Sequence, residues 1–407
     1  MRILNVTQTY FPFLEFGGPP VKVRSLSQQL VKLGHQVTVL TADWGWASSA
    51  PPTTGRSSVE RTAFGWRLVE SGIEAIYLRS WLRFRALSWN PGITRFCQAR
   101  LWNFDVVHIF GLYDFLGPVT AAACRRNAVP YVVEPIGMFV PIVRNFLLKR
   151  MYHLTLGQGM LRGSRKIIAT SPQEVVELSS SGLSTEKIVV RRNGVEIPET
   201  LPERGRFRAA LGIPENIKVI LYLGRLSQKK SPDMLLQAFA SLCKARRDAP
   251  VCLVLAGPDE GGMGNKLRQM AGELGIISRV HVQGAIFGEQ KWSAYRDADV
   301  FVLPSQNENF GNTAGEAVAT GTPVVVTDKC GIAPLLADVA GLVVEHDATA
   351  LARALERVLW EPGLQEKLSA GCRRVAAQLD WDEPAREMER LYEQLANGEK
   401  EAAELLH

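Results

Sequence analysis

The sequence predicts an α/β protein of two doubly wound domains, and three observations carry that reading. Short apolar runs alternate with stretches of helical spacing, the pattern of βα units around a parallel sheet. The series runs once through the first 170 residues and restarts at Lys218. Between the two series, residues 196–216 are broken by Pro198, Pro202 and Pro214, where a boundary is expected. At 407 residues the chain has room for two or three domains.

Taken in order, 3–9 is a strand-like run, followed by a Phe/Pro/Gly loop to Pro20. Residues 21–33 carry Val23, Leu26, Leu30 and Leu33 at helical spacing, and Gly34 is a fitting stop. Residues 37–41 make the next strand, and 43–62, rich in Trp, Ser, Ala, Pro and Thr, read as a loop. Further strands are expected at 73–78, 105–110, 130–134 and 166–170, with a helical stretch of mixed character at 140–161. The second series gives strands at 218–224, 251–257, 280–283, 300–304, 323–327 and 341–344. Helices at 232–244 and 265–274, and others further on, separate them. A polar helix closes the chain at 383–406. The expected domains are 1–198 and 199–382.

A hydrophobic share of 46% and a charged share of 22% are ordinary for a globular protein with sizeable cores. Six scattered cysteines with no Cys-x-x-Cys read as buried thiols in a reducing compartment. The N-terminus reads as a strand rather than a signal peptide, and no uncharged apolar run reaches the ~18 residues of a membrane span. A cytoplasmic protein is expected, with peripheral contact to the membrane left open. Residues 1–198 hold 23 Lys+Arg and 12 Asp+Glu, the remainder 24 and 29. The basic half suits anionic headgroups or a phosphate-bearing acceptor, or is a solvated surface. Nucleic acid is not an expected partner, because no helix-turn-helix, finger or aromatic-basic stacking pattern occurs.

The chemistry concentrates at 305–316, Ser-Gln-Asn-Glu-Asn-Phe-Gly-Asn-Thr-Ala-Gly-Glu. Glu308 and Glu316 stand eight positions apart around an Asn-Phe-Gly-Asn turn, between a buried strand and a small-residue helix. Open α/β sheets bind ligands at such strand ends, and a helix N-terminus receives anions. Carboxylates there accept hydrogen bonds from sugar hydroxyls, so a sugar joined to a phosphate fits. Gly224, Arg225 and Lys230 lie between another strand and helix. Cations at a helix start are electrostatically unfavourable, which points to an external anion such as a diphosphate.

Glu-x-Phe-Gly-x-x-x-x-Glu resembles the signature of the retaining glycosyltransferases of family four, which have the GT-B fold of two Rossmann-like domains facing across a cleft. Gly17-Gly18, the run from Asp105 to His108, Arg192-Asn193-Gly194-Val195, Gly224-Arg225 with Lys230, and the Gly-Thr-Pro-Val-Val-Val-Thr run from Gly321 extend the resemblance over the chain. It implies a nucleotide diphosphate-sugar as donor substrate, no separate cofactor, and a glycan or lipid-linked acceptor, as in bacterial surface polysaccharide or glycolipid synthesis. The C-terminal domain would bind donor and the N-terminal domain acceptor, with the last helix crossing back onto the latter. Arg225 and Lys230 would stabilise the leaving diphosphate, Glu308 would face the transferred sugar, and Glu316 would bind ribose. Phe310, Gly311, Asn312 and Thr313 would offer backbone contacts, and Gly17 and Gly18 would lie under the diphosphate. His108 would hydrogen-bond near the sugar, although a lone histidine ending an apolar strand is more often structural. Glu134 and Met138 would contact acceptor.

Three departures from the family pattern stand out: Ser231 where Gly is usual after Lys230, Phe110 where a second His is common, and Pro135-Ile136-Gly137 where relatives have Pro-His-Gly. Asp297-Ala298-Asp299 imitates a metal-binding Asp-x-Asp but precedes a buried strand, where local pairing is expected, and no metal site is expected elsewhere. The basic stretch 140–166 has no acidic residue and could lie on an anionic membrane or pack on its own domain. Two other functions remain open at this point: a sugar-nucleotide epimerase, which needs no acceptor, and a non-catalytic glycan-binding relative.

Overall fold

A computed structural model describes residues 1–13, 18–43, 58–84, 87–139 and 151–404. The chain divides into two compact units, Met1–Gly194 with Trp381–His407, and Val195–Asp380. The acidic last helix therefore belongs with the basic first unit. That unit carries 26 Lys+Arg against 19 Asp+Glu, and the second carries 21 against 22.

Unit 1 is built on a nine-stranded sheet. Its strands are β1 (Arg2–Thr7), β2 (Gln36–Ala42), β3 (Ser58–Arg61), β4 (Gly65–Glu70), β5 (Ile73–Leu78), β8 (Val106–Phe110), β9 (Tyr131–Glu134), β10 (Lys166–Ala169) and β11 (Ile188–Val190). A separate hairpin pairs β6 (Leu82–Phe84) with β7 (Leu87–Trp89). The sheet order is β11-β10-β9-β8-β1-β2-β5-β4-β3. Pairings are parallel from β11 to β5, and antiparallel where β4 joins β5 and β3 joins β4. The period of two in β1 sorts its side chains between two cores. Leu4 and Val6 pack with Ile93, Phe96, Leu116 and Ala121 from the helices Gly92–Arg100 and Leu116–Arg126. Ile3 packs on the opposite face with Val23, Leu26 and Leu30 of the helix Gly18–Lys32, and with Trp381, Ala385, Met388 and Tyr392. The last three lie on the C-terminal helix Asp382–Glu404.

Unit 2 has six parallel strands, β12 (Lys218–Leu223), β13 (Val251–Ala256), β14 (Val280–Gln283), β15 (Val300–Leu303), β16 (Val324–Thr327) and β17 (Gly341–Val344), ordered β14-β13-β12-β15-β16-β17. The inner strands β13, β15 and β16 are buried throughout because helices cover both faces, as parallel sheets require, while the edge strands β14 and β17 are partly buried. Val219 and Leu221 face one core, under the helices Gly288–Asp297 and Asn312–Ala319. Ile220 and Tyr222 face the other, under Pro232–Ala245 and Ala348–Trp360.

Several segments differ from the sequence expectations. The 43–62 loop ends in β3, and its residues 44–57 lie outside the described residues. Strands β3, β4, β6, β7 and β11 were not anticipated. Of the helical stretch 140–161, residues 140–150 lie outside the described residues; the rest forms a wide helical turn, His153–Gly157, running into the helix Gln158–Gly163. All six cysteines are buried and free.

Candidate active site

In unit 2 the chain leaves β12 for β13 on one side and returns to β15 on the other. The loops following β12 and β15 therefore diverge at the switch point, where open α/β sheets bind ligands. After β12, Gly224 turns the chain so closely that a Cβ on its neighbour Gly257 would meet the Gly224 carbonyl oxygen at 1.8 Å. Arg225, next along, is exposed, while Lys230 is largely buried. Ser231 caps the helix Pro232–Ala245 from a left-handed conformation, φ 50°, with Pro232 at the first helical position. That conformation explains why glycine is the easier residue here. The serine hydroxyl lies 2.9 Å from His346 Nε2.

The loop after β15 meets the loop after β12 directly. The Gln306 amide donates to the Lys229 carbonyl (3.0 Å), and the Lys230 ammonium contacts the Glu308 carboxylate. Burial, then Arg225 and Lys229, draws the Lys230 pKa down to about 7. The contacting carboxylate favours the charged form, and a diphosphate would favour it more. Glu308 is itself pinned by backbone bonds, its amide to the Lys329 carbonyl and its carbonyl from the Gly331 amide, each 2.9 Å. Phe310 is buried, and its carbonyl accepts from the Ile332 amide at 2.7 Å. Gly311 then adopts φ 109°, where an added Cβ would press within 2.9 Å of Ile332 Cγ2. It starts the helix Asn312–Ala319 without a side-chain cap. The first-turn amides, those of Asn312 and Thr313 among them, lie at the positive end of the helix dipole.

Glu316 comes beyond the first turn. Its carboxylate accepts from Tyr295 Oη and from Lys291 Nζ, both at 2.8 Å. Tyr295 is fully buried, and burial, then Glu316, raises its hydroxyl far above the usual range, so it stays a donor. Lys291 and Tyr295 escaped the sequence reading because helical periodicity marks a buried face, not the carboxylate that a tyrosine meets on another helix. Asp297 and Asp299 are structural. Asp297 accepts from the amides of Gly205, Phe207 and Arg208, and Asp299 pairs with Arg208 and Lys218. Among the described residues no group of three or more His, Cys, Asp and Glu is arranged to hold a metal ion.

Unit 1 places its expected residues differently. Gly17 lies outside the described residues, and Gly18 is the exposed first residue of the helix Gly18–Lys32. Met138 is half-buried beside the core, in a turn where Ile136 (φ 56°) and Gly137 (φ 63°) are both left-handed. The Gly137 amide is held by Glu174 Oε1 at 2.7 Å. His108 and Glu134 correct the expectation of substrate contact, because neither side chain has accessible surface. Glu134 is the counterion of two buried cations, contacting Lys22 and standing 2.5 Å from Arg191. Burial pushes its carboxyl up, but Arg191 and Lys22 outweigh that and hold it well below the usual range. Burial brings Lys22 down to about 8. His108 Nδ1 lies 2.6 Å from Tyr392 Oη and its Nε2 3.4 Å from Glu134, and burial lowers its pKa to about 4, which keeps it neutral. Arg191 also sits over the Trp381 ring, 5.7 Å from its centroid. These residues tie the first helix, two strands and the last helix together.

Comparison with known proteins agrees with this architecture. The pattern of the "Glycosyl transferases group 1" family matches residues 203–375, and that of the "Glycosyl transferase 4-like domain" matches 17–194. The D-inositol 3-phosphate glycosyltransferase of Frankia alni is 31% identical over 404 residues, covering 92% of this chain and 94% of its own. The protein of that name from Corynebacterium jeikeium is 34% identical over 397 residues, covering 93% and 92%. Among solved structures, sucrose-phosphate synthase from Thermosynechococcus elongatus superposes with a TM-score of 0.71 at 21% identity, covering 98% of this chain and 99% of its own. HepE of Anabaena, in complex with UDP and glucose, gives 0.74 at 17% identity, covering 97% and 100%.

Proposed function

Because the chain belongs to the glycosyl transferases group 1 family and has its GT-B fold, we propose that this glycosyltransferase moves a hexose, with retention, from a nucleotide diphosphate-sugar to a hydroxyl of a glycan or lipid-linked acceptor. The observation that carries the reading is the contact of Lys230 with Glu308 at the switch point of unit 2, beside Arg225 and an uncapped helix N-terminus. As the bond from the anomeric carbon to the diphosphate breaks, negative charge gathers on the leaving oxygen. Arg225, Lys230 and the amides of Asn312 and Thr313 are the groups to stabilise it, and one such donor is worth ~10²–10³ in rate. Because these groups supply the positive charge, the reaction is read as needing no metal ion. Glu316, oriented by Tyr295 and Lys291, accepts from the ribose hydroxyls. When the diphosphate takes over Lys230, Glu308 turns to the transferred sugar. Neither carboxylate is read as a glycosyl-enzyme nucleophile. The leaving phosphate instead accepts the proton of the incoming hydroxyl on the same face.

Unit 1, net basic, is read as the acceptor unit, and the pathway as surface polysaccharide or glycolipid synthesis. Relatives named for D-inositol 3-phosphate support an anionic acceptor as well, so that compound belongs in the acceptor panel. Six buried free thiols support a reducing, cytoplasmic compartment.

The test is thermal-shift and calorimetric titration with UDP-, GDP- and ADP-glucose, comparing wild type with Lys230→Ala and Glu316→Ala, followed by NMR of the anomeric configuration of the product. One preferred donor, lost in both variants, and a retained configuration are expected. Donor binding that survives in both variants would remove the proposed site, and an inverted product would remove the mechanism.

A further inference from the structure

Ser231 uses its side chain in an unusual way. It stands at the N-cap of the helix Pro232–Ala245, where a serine hydroxyl ordinarily accepts an amide of its own first turn. Here no such cap forms. The backbone is left-handed, φ 50° and ψ 46°, which costs free energy for a residue with a Cβ. The residue is 2% exposed, so its hydroxyl has no solvent to turn to. It meets His346 Nε2 at 2.9 Å instead, with a longer approach of 3.4 Å to the Gln228 carbonyl. The bond survives either protonation state of the ring. A bare Nε2 accepts the serine proton. A protonated one donates to the serine oxygen, which then turns its own proton to Gln228.

The histidine is anchored in turn. His346 follows β17 and precedes Asp347, whose carboxylate caps the helix Ala348–Trp360 by accepting the Ala350 amide at 2.8 Å. That helix packs against Pro232–Ala245, with Leu235 and Phe239 sharing one core with Leu351 and Leu355. The bond from Ser231 to His346 therefore joins the leading ends of two neighbouring helices, each following a strand of the same sheet. The turn Gln228–Lys230 hangs just ahead of it. The loop after β15 holds the front of that turn: the Gln306 amide donates to the Lys229 carbonyl at 3.0 Å, and Gln306 Nε2 to the Gln228 carbonyl at 3.3 Å. Ser231, the residue after Lys230, holds the rear through His346. Lys230 is sensitive to small shifts of this turn. Its largely buried ammonium faces Arg225 and Lys229 of its own loop, Glu308 after β15 and Cys330 after β16, and burial draws it to about 7. An outward step of the turn would return it to water and part it from Glu308.

We infer that His346 is a positioning residue for Lys230: through the Ser231 hydroxyl it fixes the rear of the turn and keeps the ammonium beside Glu308, where a diphosphate would meet it. That the ligand is a diphosphate rests on the glycosyl-transfer reading; the hold on Lys230 does not. His346 touches no substrate in this account and acts only through Ser231. Glycine at 231 would fit the backbone without strain but would cut the link to His346. A merely structural histidine, filling space at the head of Ala348–Trp360, would leave the Lys230 ammonium indifferent to residue 346.

The experiment reads Lys230 in the full chain without donor. Trace acetic anhydride labels neutral amines, and mass spectrometry of the Lys230 peptide across a pH series gives the titration midpoint of its ammonium. His346→Ala should raise that midpoint by at least about one unit, toward the ~10.4 of a solvated lysine. Ser231→Gly removes the hydroxyl while relieving the backbone, so it should raise the midpoint likewise without lowering the melting temperature. In the Ser231→Gly background, His346→Ala should add less than about 0.3 unit, because the bond it acts through is already gone. His346→Gln keeps an amide within reach of the serine hydroxyl and should hold the wild-type midpoint. At pH 6, where Lys230 is charged in wild type and variants alike, calorimetric titration with the preferred nucleotide diphosphate-sugar should give a Kd about tenfold weaker in His346→Ala. An unchanged midpoint in both single variants overturns the inference. So does a full shift by His346→Ala in the Ser231→Gly background, or a glutamine variant that shifts as alanine does. A shifted midpoint with an unaltered donor Kd upholds the hold on Lys230 and removes the donor from it, so the two readings fail separately.

Discussion

Raising the pH should strip donor from the protein, with Lys230 setting the range. In the free protein burial, then Arg225 and Lys229, holds the Lys230 ammonium at about 7. A diphosphate against it stabilises the charged form, so the bound-state pKa is higher. Binding therefore selects protonated Lys230. Affinity is complete below pH 7 and falls as the pH rises, because each binding event must then take up a proton. Once Lys230 is mostly neutral the slope is one decade per pH unit, and from pH 6 to pH 9 the loss is about a hundredfold, or ~2.7 kcal/mol. A sugar-linked diphosphate has no ionisation of its own in that window, unlike a free nucleoside diphosphate, so UDP-glucose or the preferred analogue is the ligand to use. Calorimetric titration at four pH values, in two buffers of different ionisation heat, reads both Kd and proton uptake. Lys230→Arg keeps its charge throughout and should flatten the profile. A wild-type Kd that stays within about threefold from pH 6 to pH 9, or an equal slope in Lys230→Arg, would refute the reasoning.

Other outcomes follow from the same geometry. Glu316→Gln keeps the shape but removes the charge held by Tyr295 and Lys291, so donor Kd should rise about tenfold to a hundredfold by titration, with Tyr295→Phe costing less. Gly311→Ala must hold φ 109° with a Cβ against Ile332, and urea unfolding should show a loss of ~1–3 kcal/mol. Glu134→Gln leaves Lys22 and Arg191 buried without their counterion, so the unit 1 transition should lose ~3–5 kcal/mol in urea while the unit 2 transition holds. Transfer activity should survive EDTA, and restoration of a lost activity by added divalent metal would count against the charge assignment to Arg225 and Lys230.

The second βα series was legible because a parallel strand buried on both faces writes a continuous apolar run, as in 251–257 and 300–304, and its loops write glycine, proline and charge. Arg225, Lys230, Glu308 and Glu316 could be assigned to strand ends and helix starts from that punctuation alone. What could not be read is which distant side chains meet. Glu134 ends an apolar strand, as ligand-facing residues do, and His108 stands in the middle of one, yet their partners Lys22, Arg191 and Tyr392 come from segments with no local signal of pairing. The strands β3 and β4 mix Arg, Glu, Trp and Val on a half-exposed edge, where alternation is weak. The 82–89 hairpin is hard to read for a related reason: Leu82 and Trp89 face solvent while Ser88 is buried, the reverse of the rule by which strands are recognised. Ser231 departs from glycine in the sequence, but only the structure shows the left-handed backbone and the His346 contact that accompany it.

The position of Tyr392 bears on how the chain is made. Val195–Asp380 is continuous in sequence, so it can fold as soon as it has left the ribosome. The first unit emerges earlier, yet its core includes Trp381, Met388 and Tyr392 from the last helix. Until the segment from Trp381 to Tyr392 has been made, the β-sheet face around Ile3 and Val39 and the His108 ring lack their cover. The half synthesised first is thus the half completed last. A nascent chain stalled or truncated before Trp381 would present a finished second unit beside an exposed apolar sheet face, the species most in need of a chaperone.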